Sequence, residues 1–157
     1  MCGIFGYVGN RVAYGEVYDG LKKLEYRGYD SCGISVIDKR KFKTIKKVGG
    51  PEELKGKSKS KATIGIGHTR WATHGVVNNE NTHPHLSYTK SVSLVHNGIV
   101  ENYDDLKKFL IRNNVPIQSQ TVILLGPNKR FLCSNPDPPP VLRSPFYKVA
   151  LLDRTVF

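Results

Sequence analysis

Hydrophobic and polar positions in the N-terminal part of the chain predict a strand followed by a helix. Residues 3–8 form a short apolar run, which is typical of a buried strand. Over residues 11–26, apolar side chains recur at helical spacings and predict an amphipathic helix. The apolar face of this helix consists of Val12, Val17, Leu21 and Leu24.

The segments that follow predict a β-hairpin, a short helix and two further strands. Residues 33–37 and 42–48 flank the polar residues 38–41, which is the pattern of a hairpin. Pro51 and the two acids after it suit the first turn of a short helix, where the helix dipole favours negative charge. The two further strands are residues 63–67 and 91–96.

A second amphipathic helix is predicted after the last of these strands. Asn102 is a favourable N-cap, and Asp104 and Asp105 occupy the first turn. The core-facing side chains are Leu106, Phe109 and Leu110, and the pattern ends at Asn113 and Asn114. Strands and helices therefore alternate along the chain without an internal repeat.

Length and composition predict one cytoplasmic domain. With 157 residues, 39% of them hydrophobic, the chain can form a sizeable core. No apolar stretch approaches the roughly 20 residues of a membrane span, and the N-terminus lacks the regions of a signal peptide. We therefore expect no contact with a membrane.

Cysteine and histidine spacings predict neither a disulfide framework nor a metal site. Cys2, Cys32 and Cys133 make an odd count without zinc-type spacing, and Cys32 is expected to be a small packing residue. The sequence His-Pro-His at residues 83–85 resembles part of a zinc site, but Pro restricts the backbone and no Cys or acidic cluster accompanies it. No metal or cofactor is expected.

The net charge of +11 raises the question of a nucleic-acid partner. Residues 39–61 hold ten Lys or Arg against Glu52 and Glu53. Surfaces that bind nucleic acid usually interleave aromatics, whereas Phe42 is the only aromatic here and residues 49–51 interrupt the run. We interpret the segment as a solvated hairpin and loop, and predict no nucleic-acid partner.

Cys2 is a candidate nucleophile because of its place at the N-terminus. If Met1 is removed, the α-amino group of Cys2 becomes free, with a pKa of about 7.7 to 8.0, and can accept the thiol proton directly or through a water. Only the thiolate attacks a carbonyl efficiently. The alternative is that Cys2 is a small apolar residue at the start of a buried strand.

Four further motifs, behind Cys-Gly-Ile at residues 2–4, resemble one family. They are YRGYDS at residues 26–31, HTRWATHG at 68–75, HPH at 83–85 and HNGIVEN at 96–102. In this order they closely resemble the glutaminase domain of the glutamine:fructose-6-phosphate aminotransferase family, up to about residue 121. Cys-Gly-Ile and Asn-Gly alone would indicate only the class II glutamine amidotransferases, and residues 68–75 point to the sugar-phosphate branch.

The resemblance implies an α+β fold of the N-terminal nucleophile hydrolase type, with two antiparallel sheets sandwiched by helices and incomplete at the C-terminus. It implies a substrate, glutamine, whose ammonia passes to fructose-6-phosphate to make glucosamine-6-phosphate. The fructose-6-phosphate would bind only in isomerase domains for which this sequence has no counterpart. It further implies a possible homo-oligomer in the full-length family.

The resemblance also assigns catalytic roles. Cys2 is the nucleophile, and the Asn97 side-chain amide and the Gly98 backbone N–H stabilise the oxyanion, while Arg27 and Asp30 brace the surroundings of the nucleophile. The dipeptide Asn-Gly is by itself a strong signal for a type I′ turn, which can coexist with the oxyanion role.

Substrate binding is assigned to a loop that closes over glutamine in the family. Arg70 offers a bidentate contact to the glutamine α-carboxylate, Trp71 excludes water, and Thr73 and His74 hold the substrate. Without the surrounding motif, the preferred interpretation would be that Trp71 is a core residue and Arg70 a surface charge. His74 could also form a Cys-His pair, although a nucleophile activated by an α-amine needs no such base.

Residues beyond Thr121 depart from the family. An Asp that binds the glutamine α-ammonium is expected there, within an Asp-Thr/Ser-Glu triplet, but residues 119–123 read SQTVI without an acid. Residues 122–157 form a Pro-rich tail, for which extended chain is expected. A truncated, alternatively spliced or frame-shifted gene product explains this pattern better than divergence. Two competing hypotheses are a non-catalytic fragment that binds the full enzyme and a basic nucleic-acid-binding module.

Overall fold

Two antiparallel β-sheets form the described part of the chain. The computed structural model describes residues 1–87, 90–98, 101–114, 117 and 148–152. The strands are β1 (Gly3–Val8), β2 (Ser31–Asp38), β3 (Lys41–Val48), β4 (Ile64–Arg70), β5 (His85–Leu86), β6 (Val92–His96) and β7 (Lys148–Leu152), and the α-helices are α1 (Ala13–Lys23) and α2 (Tyr103–Arg112). The first sheet has the order β1-β4-β2-β3 and the second the order β5-β6-β7.

Most elements predicted from the hydrophobic pattern are confirmed. Strand β1, the β2–β3 hairpin, β4, β6 and α2 lie where the pattern indicates them, and a 3₁₀ helix occupies Pro51–Leu54. Helix α1 is shorter than predicted because Val12 takes the N-cap position, where it is 48% exposed, and because the chain tightens into a 3₁₀ turn at Glu25–Arg27.

The β2–β3 hairpin turns on two long basic residues. Lys39 and Arg40 have φ of 48° and 63°, in the left-handed region, and Asp38 pairs with Lys41. Positive φ at both central residues defines the type I′ family of turns, whose twist matches that of the flanking strands. The polar segment at residues 38–41 thus forms the turn that the sequence predicts.

Helix α1 covers one face of the first sheet and forms the main core with it. The helix packs against β1, β2 and β4. A side chain at Gly67 would place its Cβ 2.5 Å from Val17 and 2.9 Å from Leu21, so glycine lets the helix approach β4. The buried core consists of Ala13, Tyr14, Val17, Leu21, Cys32, Ile34, Val36, Leu54 and Ala62.

The opposite face of the first sheet meets residues 83–85, where the second sheet begins, across a polar layer. Gly33 pairs with His68 in the β2–β4 ladder, and a Cβ on Gly33 would lie 2.3 Å from the carbonyl oxygen of His83. The rings of His68 and His83 stack with their centroids 4.5 Å apart. The layer between the sheets is therefore histidine-rich rather than aliphatic.

One strand comes from the Pro-rich tail and corrects a prediction. Strand β7 pairs with β6 in register from Val92 opposite Leu152 to His96 opposite Lys148. The composition of the tail predicted extended chain without packed strands, and pairing with a distant partner overrides that local preference. The boundary at residue 121, predicted between the family domain and the tail, stays a prediction. Cys133 lies outside the described residues.

None of the described helices is long and apolar enough to cross a bilayer.

Candidate active site

Cys2 lies at the end of the first sheet, against the residue that follows β4. Because β1 and β4 are antiparallel with Gly3 opposite Thr69, the start of one strand meets the end of the other. The backbone N–H of Trp71 donates to the Cys2 Sγ at 3.3 Å, and the thiol contacts the Trp71 carbonyl oxygen at 3.6 Å. An N–H donor directed at sulfur stabilises a thiolate.

The Trp71 backbone is held in this place by the segment before β2. A side chain at Gly28 would place its Cβ 2.7 Å from the Trp71 nitrogen, so only glycine fits. The Asp30 carboxylate accepts from the Ala72 N–H at 2.7 Å, and the Asp30 N–H donates to the Arg70 carbonyl at 3.1 Å. Asp30 therefore braces the chain beside Cys2, as the resemblance implies.

Arg27, which the resemblance places with Asp30, contacts a different neighbour. Its guanidinium lies 5.3 Å from the centre of the Tyr26 ring, and its Nε–H donates to the Tyr26 hydroxyl at 3.0 Å. The role of Arg27 near the nucleophile stays a prediction.

Asn97 joins the second sheet to Cys2. It follows β6, and its Nδ2 donates to the carbonyl oxygen of Cys2 at 2.9 Å. Its Oδ1 lies 2.8 Å from His68 Nε2. Gly98 has a φ of 119°, whereas Asn97 has no positive φ, so this dipeptide does not form a type I′ turn. Two residues assigned to catalysis, Cys2 and Asn97, are thus adjacent.

Arg70 is buried beneath the loop that follows it. Only 4% of the residue is exposed. Its Nη1 donates to the Val76 carbonyl at 3.3 Å, and its Nη2 donates to the carbonyls of His74 and, at 3.1 Å, of Gly75. Both hydrogens of Nη2 are used in these bonds, so a bidentate contact with a carboxylate requires the loop to release one of them. Carboxylate binding by Arg70 stays a prediction.

The remaining predicted substrate residues lie on that loop. Trp71 is 43% exposed, and its ring packs edge-on against Tyr29 with centroids 5.6 Å apart. The side chains of Thr73 and His74 are exposed and lie 3.2 Å apart, from Thr73 Oγ1 to His74 Nδ1. Of the four predicted substrate residues, Trp71 contacts Cys2, and the other three lie on the same segment of the chain. Their contacts with glutamine stay predictions.

A row of buried imidazoles, which the sequence did not indicate as part of the site, leads to Asn97. His68 stacks on His83, and His83 meets His85 edge-on with ring centroids 4.4 Å apart. Burial lowers the pKa of His68 to about 4 and that of His85 to about 3, and it holds the pKa of His83 well below its usual value. These rings are neutral at neutral pH.

The histidine row predicts a loss of stability in mild acid. In the unfolded chain the imidazoles bind protons near pH 6.5, whereas folded His68 stays neutral to about pH 4, so the free energy of unfolding decreases as pH falls through this window. We expect His68 alone to contribute about 3 kcal/mol of this loss at pH 4. Urea unfolding at pH 7, 5.5 and 4 measures it.

Two variants isolate the contribution of His68. His68→Gln should flatten the pH dependence of the unfolding midpoint, and His74→Gln, on an exposed loop, should leave it unchanged. The same pH dependence in the wild type and His68→Gln would contradict the prediction.

Cys32 has the environment of a structural thiol. It is fully buried, its thiol donates to the Gly50 carbonyl at 3.2 Å, and burial raises its pKa to about 12. This confirms the expected packing role. Within the described ranges, no group of three or more His, Cys, Asp or Glu could hold a metal ion.

Comparison with curated proteins gives one consistent set of relatives. No family model matches the chain. Proteins named glutamine–fructose-6-phosphate aminotransferase (isomerizing) match from Clostridium perfringens, 45% identical over 131 residues, and from Caldanaerobacter subterraneus subsp. tengcongensis, 49% identical over 125 residues. These matches cover 82% and 77% of this chain but 22% and 20% of the relatives. The chain thus spans about a fifth of the length of these relatives.

Solved structures give the same fold. A glutamine phosphoribosylpyrophosphate amidotransferase from B. subtilis, complexed with ADP and GMP, superposes with a TM-score of 0.70 at 23% identity, over 98% of this chain and 35% of that one. A structure described as the allosteric regulatory enzyme of purine biosynthesis has a TM-score of 0.67 at 32% identity, over 76% of this chain and 27% of that one.

Fold, site and structural neighbours together define a class. The antiparallel sheets are those of the glutamine amidotransferases with an N-terminal nucleophile hydrolase fold. Within that class, the chain belongs to the glutamine–fructose-6-phosphate aminotransferase family and corresponds to the N-terminal glutaminase part of its members.

Proposed function

We propose that this chain hydrolyses the side-chain amide of glutamine, with Cys2 as the nucleophile. The observation that carries the proposal is the contact of Asn97 Nδ2 with Cys2, at 2.9 Å from its carbonyl oxygen, beside a sulfur that accepts from the Trp71 N–H. A thiol and an amide donor are thus adjacent at the N-terminus. Removal of Met1, which is 83% exposed, would free the α-amino group to act as the base.

The reaction follows from these groups. The Cys2 thiol gives its proton to the α-amine, and the thiolate attacks the amide carbon of glutamine to form a tetrahedral oxyanion. The Asn97 amide and the Gly98 N–H donate to this oxyanion. The C–N bond breaks as the α-ammonium returns its proton to the leaving nitrogen, which releases ammonia and leaves a γ-glutamyl thioester. Water then hydrolyses the thioester to glutamate.

Substrate binding is proposed for the loop after β4. Arg70 would bind the glutamine α-carboxylate through N–H groups freed from the carbonyls of residues 74–76. Trp71 would cover the thioester, and Thr73 and His74 would contact the substrate from the exposed side. Trp71, the first residue of this loop, contacts Cys2, which supports this arrangement.

The wider role is proposed from the names of the relatives. We infer that the ammonia serves fructose-6-phosphate in the cytoplasm, for the synthesis of glucosamine-6-phosphate, within a larger homo-oligomeric assembly. Residues 1–121 would be the glutaminase portion and residues 122–157 a tail unlike the family. A second candidate, a non-catalytic fragment, is favoured by the absence of an acid in residues 119–123.

The two candidates are separated by glutamate production at saturating glutamine. The full chain, freed of Met1, should release glutamate and ammonia in equal amounts. Chains that retain Met1 are the matched control and should release neither. No glutamate from the processed chain at saturating glutamine would favour the non-catalytic fragment.

We expect glutamine to bind at least tenfold more weakly here than to the glutaminase domain of the Clostridium perfringens relative. The chain keeps Arg70 for the carboxylate but lacks the family acid for the α-ammonium, and a charge-assisted hydrogen bond contributes about 1.5 to 3 kcal/mol. Calorimetry on Cys2→Ala variants of both proteins measures binding without turnover. Equal affinities would mean that another acid replaces the missing one.

A further inference from the structure

His68 is the one ring of the histidine row that contacts Asn97. It lies on β4, is 1% exposed, and places its Nε2 2.8 Å from Asn97 Oδ1. The motif HTRWATHG begins with this residue, but none of the roles proposed above uses it.

The orientation of the Asn97 amide fixes the tautomer of His68. The carbonyl oxygen of Cys2 only accepts hydrogen bonds, so the Asn97 atom 2.9 Å from it is the donor Nδ2. Oδ1 then faces His68, and His68 Nε2 must carry the hydrogen. His68 Nδ1 is correspondingly buried without a hydrogen-bond partner, which is tolerable for an unprotonated nitrogen but costly for an N–H.

We propose that His68 is a positioning residue that holds the Asn97 amide with Nδ2 directed at Cys2. The inference rests on the proposed function, in which Asn97 stabilises the oxyanion. If the amide turned by 180°, two donors would face each other at His68 and two acceptors would face each other at Cys2. The contacts on both sides of Asn97 therefore select one orientation, and His68 supplies one of the two.

The surroundings of His68 keep it a neutral donor with one hydrogen. Its ring is covered by the stacked ring of His83, and burial lowers its pKa to about 4. The hydrogen bond to Asn97 raises the pKa, while the positive charge of Arg70 lowers it. A ring that stays neutral donates to Asn97 without placing a full charge beside the oxyanion.

Two amide variants of the full chain test the role. Gln at position 68 places an amide nitrogen near the position of His Nε2, whereas the shorter Asn places it near Nδ1, out of reach of Asn97. Both are polar and neutral, so they differ mainly in the contact under test. The p-nitroanilide of glutamate acylates Cys2 through an oxyanion and releases p-nitroaniline. The rate of this release in a single turnover measures acylation and therefore reports oxyanion stabilisation. Alkylation of Cys2 by iodoacetamide forms no oxyanion and reports thiol access alone.

We expect His68→Asn to lower the maximal acylation rate about tenfold with the same half-saturating substrate concentration and the same alkylation rate. His68→Gln should stay within about threefold of the wild type. Equal loss in both variants, or a parallel loss of alkylation, would overturn the inference and indicate a structural role only.

Nitrogen-15 spectra of the wild-type imidazoles provide a test that needs no turnover. They should show His68 protonated at Nε2 and unprotonated at Nδ1, and a His68 protonated at Nδ1 alone would overturn the inference. If the wild type is not acylated at all, the proposed function fails, and the tautomer still decides whether His68 donates to Asn97.

Discussion

Replacement of Cys2 by Ser is expected to lower glutamine hydrolysis at least about a thousandfold, because no other described thiol can replace it. A hydroxyl is a much weaker nucleophile at neutral pH than a thiol activated by an α-amine. Cys32 cannot substitute, since it is fully buried and its pKa is raised to about 12. Glutamate formation by chains freed of Met1 measures the loss.

The matched control for Cys2→Ser is a substitution of Cys32, the other described cysteine. Cys32→Ala removes a buried thiol that contacts Gly50 and α1 but not the site, so the rate of glutamate formation should remain near that of the wild type. A Cys2→Ser chain that keeps a tenth or more of the wild-type rate would contradict the need for a thiol at this position.

Asn97→Ala is expected to lower kcat about 10²- to 10³-fold, equivalent to about 2.7 to 4 kcal/mol of transition-state stabilisation. The Asn97 amide donates to the carbonyl oxygen of Cys2 at 2.9 Å, so it lies against the residue that carries the nucleophile. Because the oxyanion exists only in the transition state and intermediate, KM should change little. Steady-state kinetics of ammonia release separate the two constants.

The isosteric variant Asn97→Asp distinguishes donation from packing. It keeps the shape of the side chain but replaces the donor with an acceptor and adds negative charge beside the developing oxyanion. We expect its loss of kcat to equal or exceed that of Asn97→Ala. Near-normal kcat in Asn97→Asp would mean that the side chain fills space and does not stabilise charge.

Most of the fold could be predicted from local sequence because its elements are long or strongly periodic. The hairpin at residues 31–48 and the two amphipathic helices have patterns that are complete within one segment. Strand β5 has only two residues and so no period, and β7 depends on pairing with β6, some fifty residues earlier in the chain. Short length therefore explains why β5 was missed, and a pairing partner far away in sequence explains why β7 was missed.

The site was predictable only in part. The roles predicted for Cys2 and Asn97 came from the resemblance to the family, and the structure places the two residues in contact. His68 gave no separate signal, because its function depends on facing Asn97 from another sheet. Likewise, the need for glycine at Gly28 arises from the backbone of β4, which lies against it only in the folded chain.

Arg70 shows the opposite case, in which the predicted role and the observed contacts differ. The sequence indicated a cation free to bind a carboxylate, whereas the structure directs the guanidinium at the carbonyls of residues 74–76. An arginine has five N–H donors, so it can both order a loop and bind an anion, and sequence alone cannot distinguish these uses.

We propose that Cys2 is a nucleophile activated by its own α-amine. The intact mass and peptide map of the chain, taken after exposure to 6-diazo-5-oxonorleucine, an electrophilic analogue of glutamine, measure this reactivity. We expect a single adduct, located on Cys2, in chains without Met1 and none in chains that retain it. Equal labelling of Cys2, Cys32 and Cys133, or labelling of Cys2 whether or not Met1 is present, would contradict it.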